Sequence, residues 1–465
     1  MKGSDSMPRG PGIGADQPCL PMERLPAETA KLVDYVKSLD CIHCGLCLQT
    51  CPTFRLTGQE ASSPRGRIHL MRAVAEERLE ADAAFADEME FCLLCRHCES
   101  VCPAGVQFGS MMEFTRGALE RAQPRGRQRA LLRWLGFRLA LPHRLVLRLA
   151  GSLLRAGQLL RLDRLADRML GDRGLRYLPR VPPLAARRLL PRRVAPEGAL
   201  RGEVALLGNV QQREIALLEG CVMPEFHARV NRATARSLAR LGFGVRVPAV
   251  ACCGSLHAHN GDLEGARTLA RTLIAAFERE HDANASSLGI VVNSAGCGAH
   301  LKELHHLFPS GDTWHARAAA LAKRVRDYSE VVAPLLPDVR SKLGPPPLPQ
   351  PITWDDPCHL CHGQNVRGEP RSVLDALPGL ARVELEDSES CCGSAGIYSL
   401  LRPEASRAVL AKKLADLGRS GARTLVTANP GCQMQWESGL ARAGSSVRVV
   451  HLAELVDAAL AAGRV

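Results

Sequence analysis

The sequence predicts an α+β multidomain fold, in which an all-α N-terminal domain is followed by two repeated α/β cysteine-rich units. Apolar residues between 65 and 89 recur at helical spacing, which predicts helices in the N-terminal domain. Beyond residue 205, short β-rich runs alternate with helical runs, as is typical of α/β structure. That region also contains one pattern twice: a lone cysteine, a Cys-Cys-Gly triplet and a Gly-Cys pair. The repetition predicts two copies of one structural unit.

The first 205 residues divide into three predicted segments. Residues 1–25 hold Gly, Pro, Ser and Asp without periodicity and are predicted to form a flexible leader. A helix is predicted to begin near Pro26, and the N-terminal domain spans 26–120. The connector, residues 121–205, combines leucines with regularly spaced arginines and is interrupted at Pro142. This pattern predicts two or three amphipathic helices in the connector.

The repeated units are predicted over residues 206–343 (the first unit) and 352–465 (the second unit). A Pro-rich segment, residues 344–351, is predicted to link them. The predicted strands are 214–219, 245–250 and 289–293 in the first unit, and 352–354 and 424–427 in the second.

The cysteine content narrows the class of protein. Eighteen cysteines in 465 residues are too sparse for a disulfide-stapled secreted domain, which is small and much denser in cysteine. Residues 1–30 contain no basic run followed by an apolar stretch and a cleavage site, so we expect no secretory signal and a cytoplasmic location. In that reducing compartment, ligation or redox chemistry is the expected use of cysteine.

The basic charge of the chain is concentrated in the connector. The net charge is +12, and residues 121–205 hold twenty arginines against five acids. One interpretation is a solvated helical connector packed on its own protein. Another is peripheral docking of the connector to the anionic inner face of the cell membrane or to a partner, with Arg187, Arg188, Arg192 and Arg193 as the strongest contacts. We expect no nucleic-acid partner, because no such binding motif is found, and the arginines leave no apolar run long enough to span a bilayer.

Two segments of the N-terminal domain share the spacing C-x₂-C-x₂-C-x₃-C-P, and they begin at Cys41 and Cys92. Three thiolates spaced three residues apart can hold three corners of an iron-sulfur cluster within one loop. In two-cluster ferredoxins the fourth cysteine of such a run binds the other cluster. The spacing therefore predicts two [4Fe-4S] clusters with crossed ligation. The predicted ligands are Cys41, Cys44, Cys47 and Cys102 for cluster 1, and Cys92, Cys95, Cys98 and Cys51 for cluster 2.

Two alternatives to iron fit this spacing less well. A zinc ribbon uses paired C-x₂-C units and needs neither the third cysteine nor the proline. Disulfides between such closely spaced cysteines would be strained and would not persist in a reducing compartment. His43 and His97 lie inside the two loops, but the thiolates suffice as ligands. We interpret both histidines as neighbours of the clusters or as surface residues.

The repeated units contain a second set of cysteines. Gly254 and Gly393 each follow a Cys-Cys pair, and glycine permits the turn that aims two adjacent thiols at one place. Four thiols per unit would hold a further iron-sulfur centre, act as redox thiols, or pack as small buried hydrophobes, and these alternatives stay open. Cys19 and Cys361 fall outside the repeat and are interpreted as structural. The repeated cysteines are Cys221, Cys252, Cys253 and Cys297 in the first unit, and Cys358, Cys391, Cys392 and Cys432 in the second.

Motifs for organic cofactors are not found in the sequence. No Gly-x-Gly-x-x-Gly follows a predicted strand and no P-loop is present, so the sequence gives no case for a flavin or nucleotide site in this chain. An iron-sulfur cluster moves one electron at a time and cannot accept a hydride. Two-electron oxidation of a metabolite therefore needs a partner's cofactor, and we expect the chain to be a subunit that is inactive alone.

Taken together, these motifs resemble the glycolate oxidase iron-sulfur subunit family, in which a two-cluster ferredoxin module precedes two cysteine-rich CCG domains. The resemblance covers nearly everything except the leader and the connector. The stretches that carry it are residues 41–47, 64–68, 218–221, 252–254, 294–300, 356–360, 391–396 and 427–432.

The resemblance implies an electron-transfer subunit of a glycolate, or 2-hydroxy-acid, dehydrogenase complex. Electrons would come from flavin-bearing hydroxy-acid dehydrogenase subunits and continue toward a membrane quinone. Related groups serve lactate or glycerol-3-phosphate oxidation and heterodisulfide reduction, so these functions remain alternatives. Heterodisulfide reductase units resemble a five-thiol pattern, whereas Ser294 and Asn429 stand here in place of one cysteine per unit. This departure weakens the case for disulfide reduction.

Overall fold

The computed structural model describes residues 33–122, 127–170, 178–197, 214–282 and 289–463. Within these ranges the α+β class is confirmed, because helices alone form the N-terminal domain and parallel sheets occur in both repeated units. The predicted leader, the predicted helix start at Pro26 and Cys19 lie outside the described residues. No helix in the described ranges is long and apolar enough to cross a membrane.

The helical pattern over residues 65–89 corresponds to two helices. The first ends at Ala75 and is followed by Glu77 in the left-handed region. The second begins after Asp82, whose carboxylate accepts a hydrogen bond from the Phe85 N–H at 2.9 Å and so caps the helix. The helices of the N-terminal domain are Tyr35–Ser38, Pro52–Thr57, Glu60–Ser62 (3₁₀), Pro64–Ala75, Ala83–Phe91, His97–Ser100 and Phe108–Ala122.

The connector is helical and breaks near Pro142, as predicted. Its last described part leaves the helical pattern, because Arg193–Val194 pairs antiparallel with Gly244–Arg246 and extends the sheet of the first unit. The connector helices are Arg127–Arg133, Trp134–Ala140 (π), Arg144–Leu159, Leu162–Leu170 and Leu184–Ala186 (3₁₀).

Several connector arginines face their own protein. Arg187 is 1% exposed and donates to Glu225 Oε2 at 2.7 Å, so the prediction that it would be a strong membrane contact is wrong. Arg144 pairs with Glu219 of the first unit at 3.1 Å. These buried or half-buried pairs attach the connector to the first unit, since a guanidinium so enclosed requires an acceptor.

Each repeated unit has a sheet at its centre, and all strands of the two sheets are parallel except Arg193–Val194. The five-stranded sheet has the order Arg193–Val194, Gly244–Arg246, Glu214–Leu218, Gly289–Val292 and Val325–Asp327. The three-stranded sheet has the order Ile352–Trp354, Thr424–Thr427 and Arg448–His451. The longer helices around them are Ala228–Arg240, Leu263–Asp282, Ala295–Lys302, Thr313–Ala322, Gly368–Ala376, Pro403–Ser420, Pro430–Arg442 and Leu452–Ala462. The shorter ones are Met223–Phe226, Ser255–His259, Leu304–Leu307, Tyr328–Val332, Pro337–Lys342, Cys358–Cys361 and Tyr398–Leu401.

The two units share one hydrophobic core. A single apolar cluster includes Ile215 and Val291 of the first unit together with Trp354 and Val426 of the second. The helix Ala228–Arg240 packs against Leu452–Ala462 across this junction. The predicted linker is packed too, since the Gly344 N–H donates to the Ala459 carbonyl at 2.9 Å. The arrangement holds the cysteines of both units in a fixed relation.

Candidate functional site

The two C-x₂-C-x₂-C loops have the same unusual backbone. The third and fifth residues of the first loop, His43 and Gly45, lie in the left-handed region, and so do the equivalent Leu94 and Arg96 of the second. Leucine and arginine rarely adopt this conformation, and such strain is retained mainly at functional sites. The repeated geometry winds each loop around its own thiols, which fits the wrapping that an iron-sulfur cluster requires.

The predicted ligands of cluster 2 are enclosed. Cys51, Cys92, Cys95 and Cys98 are all buried. Cys51 lies within electrostatic range of Cys95 and Cys98, although it belongs to the other motif. Burial raises the pKa of the Cys95 and Cys98 thiols well above their usual value. Four thiols confined to an apolar place are a donor set suited to iron, because a bound metal removes the cost of deprotonating them.

The predicted ligands of cluster 1 lie nearer the surface. Cys44 is exposed, while Cys41, Cys47 and Cys102 are half-buried. Two large apolar side chains of the same loop, Ile42 and Leu46, are also exposed. The first loop therefore presents thiols and apolar side chains to solvent, whereas the second loop is internal.

The four repeated cysteines of the first unit come together. The Cys253 thiol lies 3.2 Å from that of Cys297, and Cys221 hydrogen-bonds with Cys252. Hydrogen bonds from Cys221 and Cys253 lower the pKa of the Cys252 thiol. Gly254 is left-handed at φ +93°, which permits the turn that the sequence predicted.

The second unit repeats this arrangement in a more buried form. Cys391 hydrogen-bonds with Cys358 and Cys392, and Cys392 with Cys432. All four thiols are buried, and Gly393 is left-handed at φ +85°. Beside them lies Lys413, which is 2% exposed and pairs with the buried Asp355. Cys361, predicted to be structural, is buried and is not part of this hydrogen-bonded set.

The two residues that replace cysteines meet between the units. Ser294 precedes the helix Ala295–Lys302, and Asn429 precedes the equivalent helix Pro430–Arg442. Asn429 Oδ1 accepts from the Gly296 N–H at 3.3 Å and from Ser294 Oγ at 3.5 Å, while its Nδ2 donates to Cys432 Sγ at 3.3 Å. The replaced positions therefore hold the units together and hydrogen-bond to a repeated cysteine.

All eight repeated cysteines face one cavity of about 700 Å³. Residues of the N-terminal domain and the connector complete its wall, among them Cys92 and Leu132. A cavity of this size is within the range of small-molecule sites. Its walls bring both sets of repeated thiols beside the second iron-sulfur motif.

The second motif contacts the second unit directly. Cys95 packs in one buried cluster with Cys358, Cys391 and Tyr398. At the same seam the rings of His97 and His362 stack with centroids 3.9 Å apart. His97 therefore lies between the domains, which refines its interpretation as a neighbour of the clusters.

Three residues of the candidate site were missed by sequence reasoning. The Arg116 guanidinium donates to the carbonyl oxygens of Met89, Cys92 and His259, and so ties the second motif to the first unit. Lys413 lies under the thiols of the second unit, and Tyr398 lines the cavity. Each is a single residue on a helix, and no local pattern distinguishes it.

Comparison with protein families agrees with this architecture. A 4Fe-4S dicluster domain matches residues 37–106, and a cysteine-rich domain of the CCG type matches residues 215–302 and again 352–437. The chain therefore contains the iron-sulfur module and both cysteine-rich units that its motifs predict.

Full-length relatives support the same assignment. A probable glycolate oxidase iron-sulfur subunit of Bacillus subtilis (strain 168) is 35% identical over 94% of this chain and 97% of its own length. The glycolate oxidase iron-sulfur subunit of Escherichia coli (strain K12) is 33% identical over 90% of this chain and 93% of its own. A fumarate reductase (CoM/CoB) subunit of Methanothermobacter marburgensis is 31% identical over 56% of this chain and 49% of its own. The chain belongs to the glycolate oxidase iron-sulfur subunit family and is an iron-sulfur electron-transfer subunit of an oxidoreductase.

Proposed function

We propose that this chain relays electrons from a flavin-bearing glycolate, or other 2-hydroxy-acid, dehydrogenase subunit toward a membrane quinone. The observation that supports this role best is the contact of Cys95 with Cys358 and Cys391, which joins the second motif to the second unit. When bound, a [4Fe-4S] cluster accepts and returns one electron. Along the proposed electron path, the chain contributes first the exposed first loop, then the buried second loop, and then the central cavity.

The crossed ligation remains our assignment for the N-terminal cysteines. Cys41, Cys44, Cys47 and Cys102 would hold cluster 1, and Cys92, Cys95, Cys98 and Cys51 cluster 2. The nearness of Cys51 to Cys95 and Cys98 supports the crossing. The eight repeated cysteines would hold a further iron-sulfur centre or act as redox thiols, and their contact within each unit supports a shared role.

The electron donor would dock on the first loop. Ile42 is 68% exposed, Leu46 is 60% exposed, and Cys44 lies between them in sequence. Apolar side chains at the centre of a contact surface exclude water and bring the partner close. A docked flavoprotein would therefore reach the least buried of the cluster ligands.

Peripheral membrane contact would use the leucines of the connector more than its arginines. Leu145, Leu149 and Leu153 follow one another at helical spacing on one exposed face, while Arg155 on another face donates to the Val181 carbonyl. Arg161 just before the next helix, and Arg164 and Arg168 on it, are exposed, whereas the acids of that helix, Asp163 and Asp167, are not. An apolar face beside exposed arginines suits an anionic bilayer surface.

Dye reduction tests the relay. The chain is reconstituted with its flavoprotein, and glycolate-dependent reduction of a dye is compared between the wild type and Cys44→Ser. We expect the variant to lose most of the rate, because the first cluster lacks a ligand. A variant that supports the wild-type rate contradicts the relay.

Liposome flotation tests the membrane contact separately. We expect the holoprotein to float with phosphatidylglycerol vesicles, and L149E/L153E to remain at the bottom. The control is Leu79→Glu, since Leu79 is an exposed leucine of the N-terminal domain. Flotation that is indifferent to L149E/L153E and to added salt excludes this surface.

A further inference from the structure

The central cavity combines the eight repeated cysteines with an apolar entrance. Leu132 of the connector is 69% exposed and Leu401 of the second unit is 52% exposed, and both line the cavity. Their neighbours Leu131, Trp134 and Leu400 are exposed as well. Exposed large apolar side chains that cluster at a cavity mouth mark a binding site more often than a bare surface.

The arginines of the cavity wall already have hydrogen-bonding partners. Of its arginines, Arg402 pairs with Asp87, Arg133 pairs with Glu120 at 2.9 Å, and Arg116 donates to backbone carbonyls. A carboxylate ligand such as a 2-hydroxy acid requires an available cation, because an unpaired buried anion is costly. The wall therefore favours an uncharged occupant.

Two polar atoms on the wall have no partner among the described residues. The Tyr398 hydroxyl is buried and lacks a hydrogen bond, and so does Nε2 of His359. A buried polar group without a partner is uncommon in a native protein and calls for an explanation, such as a ligand. A hydroxyl at this place can donate to a carbonyl oxygen of a bound molecule.

We propose that the cavity binds an uncharged, apolar two-electron carrier of the quinone class, which enters between Leu132 and Leu401 and accepts a hydrogen bond from Tyr398. The proposal rests on the electron relay proposed above, and it assigns the binding site of the electron acceptor to this cavity. The carrier gains two electrons, delivered one at a time by the reduced chain, and two protons from water, and so becomes the quinol. The two carbonyls become hydroxyls and the ring becomes aromatic, and the two hydrogens are the only atoms added.

Binding of decylubiquinone to the oxidised holoprotein, measured by ultrafiltration, tests the site without electron flow. We expect about one molecule per chain, a loss of affinity of about tenfold or more in L132E/L401E, and a loss of a few-fold in Tyr398→Phe. Leu79→Glu, an exposed leucine of the N-terminal domain, should bind as the wild type does.

Two results would overturn the proposal. One is wild-type affinity in L132E/L401E with its circular dichroism unchanged. The other is displacement of decylubiquinone by glycolate, which would mean that the cavity takes an anion. Oxidation of the reduced chain by ferricyanide reports the relay separately, so a broken relay and a wrong acceptor site give different results.

Discussion

The two cysteine-rich units use the same four-cysteine pattern in different surroundings. In the first unit Cys221 and Cys297 are half-buried, whereas all four repeated cysteines of the second unit are buried. The second unit also touches Cys95 of the N-terminal domain. The first unit meets that domain through polar contacts: His259 Nδ1 lies 2.6 Å from Glu113 Oε1, and Arg96 of the second motif pairs with Glu303 at 2.6 Å. The second unit thus packs cysteines against the second iron-sulfur motif, whereas the first unit is joined to it by polar contacts.

The charged groups near the thiols differ as well. Lys413 is buried beside the second unit's thiols on the helix Pro403–Ser420, while the corresponding helix of the first unit, Leu263–Asp282, contains no lysine. Near Cys252 the first unit has His257 and His300, both buried. Duplication thus preserved the thiols while their electrostatic environments diverged. From this asymmetry we expect the second unit to receive electrons first.

The largest expected effect comes from a substitution that stops electron transfer to both repeated units. Cys98→Ser removes a buried cysteine that we assign to cluster 2, so we expect about four fewer irons per chain and no electron arrival at either unit. Iron analysis and stopped-flow reduction measure these quantities. Cys361→Ser, another buried cysteine, is the matched control and should keep its iron. Equal iron in the two variants would refute the assignment of Cys98.

The next largest expected effect distinguishes the two repeated units by their rates of electron transfer. Cys358→Ser alters the unit that contacts Cys95, and Cys221→Ser makes the same change in the other unit. If the second unit receives electrons first, Cys358→Ser should slow the passage to an added acceptor about tenfold, and Cys221→Ser distinctly less. Stopped-flow spectroscopy of the reduced holoprotein compares them. A larger loss in Cys221→Ser would reverse the proposed order.

The sequence predicted some elements of this comparison and missed others for physical reasons. Strands 352–354 and 424–427 were predicted with their observed bounds, because their residues are apolar or β-branched. Val325–Asp327 and Arg448–His451 were missed, because short strands with charged residues lack a distinctive pattern. The cysteine loops of the N-terminal domain were predicted from their local spacing, and the cysteine sets of the repeated units from the repetition of one pattern along the chain.

The wall around the cysteines depends on contacts between distant segments. Tyr398 and Cys95 are far apart in sequence yet pack in one cluster, and no periodicity reveals this. Arg187 was assigned to the membrane because a sequence does not show which arginines of a basic segment turn inward. Arg187 turns inward because it pairs with Glu225, and this pairing depends on the fold that brings the two residues together.

A stability measurement can test the role of the buried lysine. Lys413→Met leaves the Asp355 carboxylate buried without its cation, so we expect the free energy of unfolding to fall by about 3–5 kcal/mol. Lys412→Met alters the adjacent, exposed lysine and should cost less than about 1 kcal/mol. Urea unfolding followed by circular dichroism measures both. Adding Asp355→Asn should restore part of the loss, and if it does not, the cost does not come from an unpaired charge.

The smallest effect concerns the residues that replace cysteines between the units. Asn429→Ala removes the acceptor of the Gly296 N–H and the donor to Cys432, so we expect a loss of about 1 kcal/mol in the free energy of unfolding. Ser294→Ala removes one long hydrogen bond of 3.5 Å and should cost less. Urea unfolding of the two variants gives the order. If Ser294→Ala lowers the free energy of unfolding more than Asn429→Ala does, the contact between the units depends mainly on Ser294 of the first unit. The asymmetry between the units would then extend to the contact that joins them.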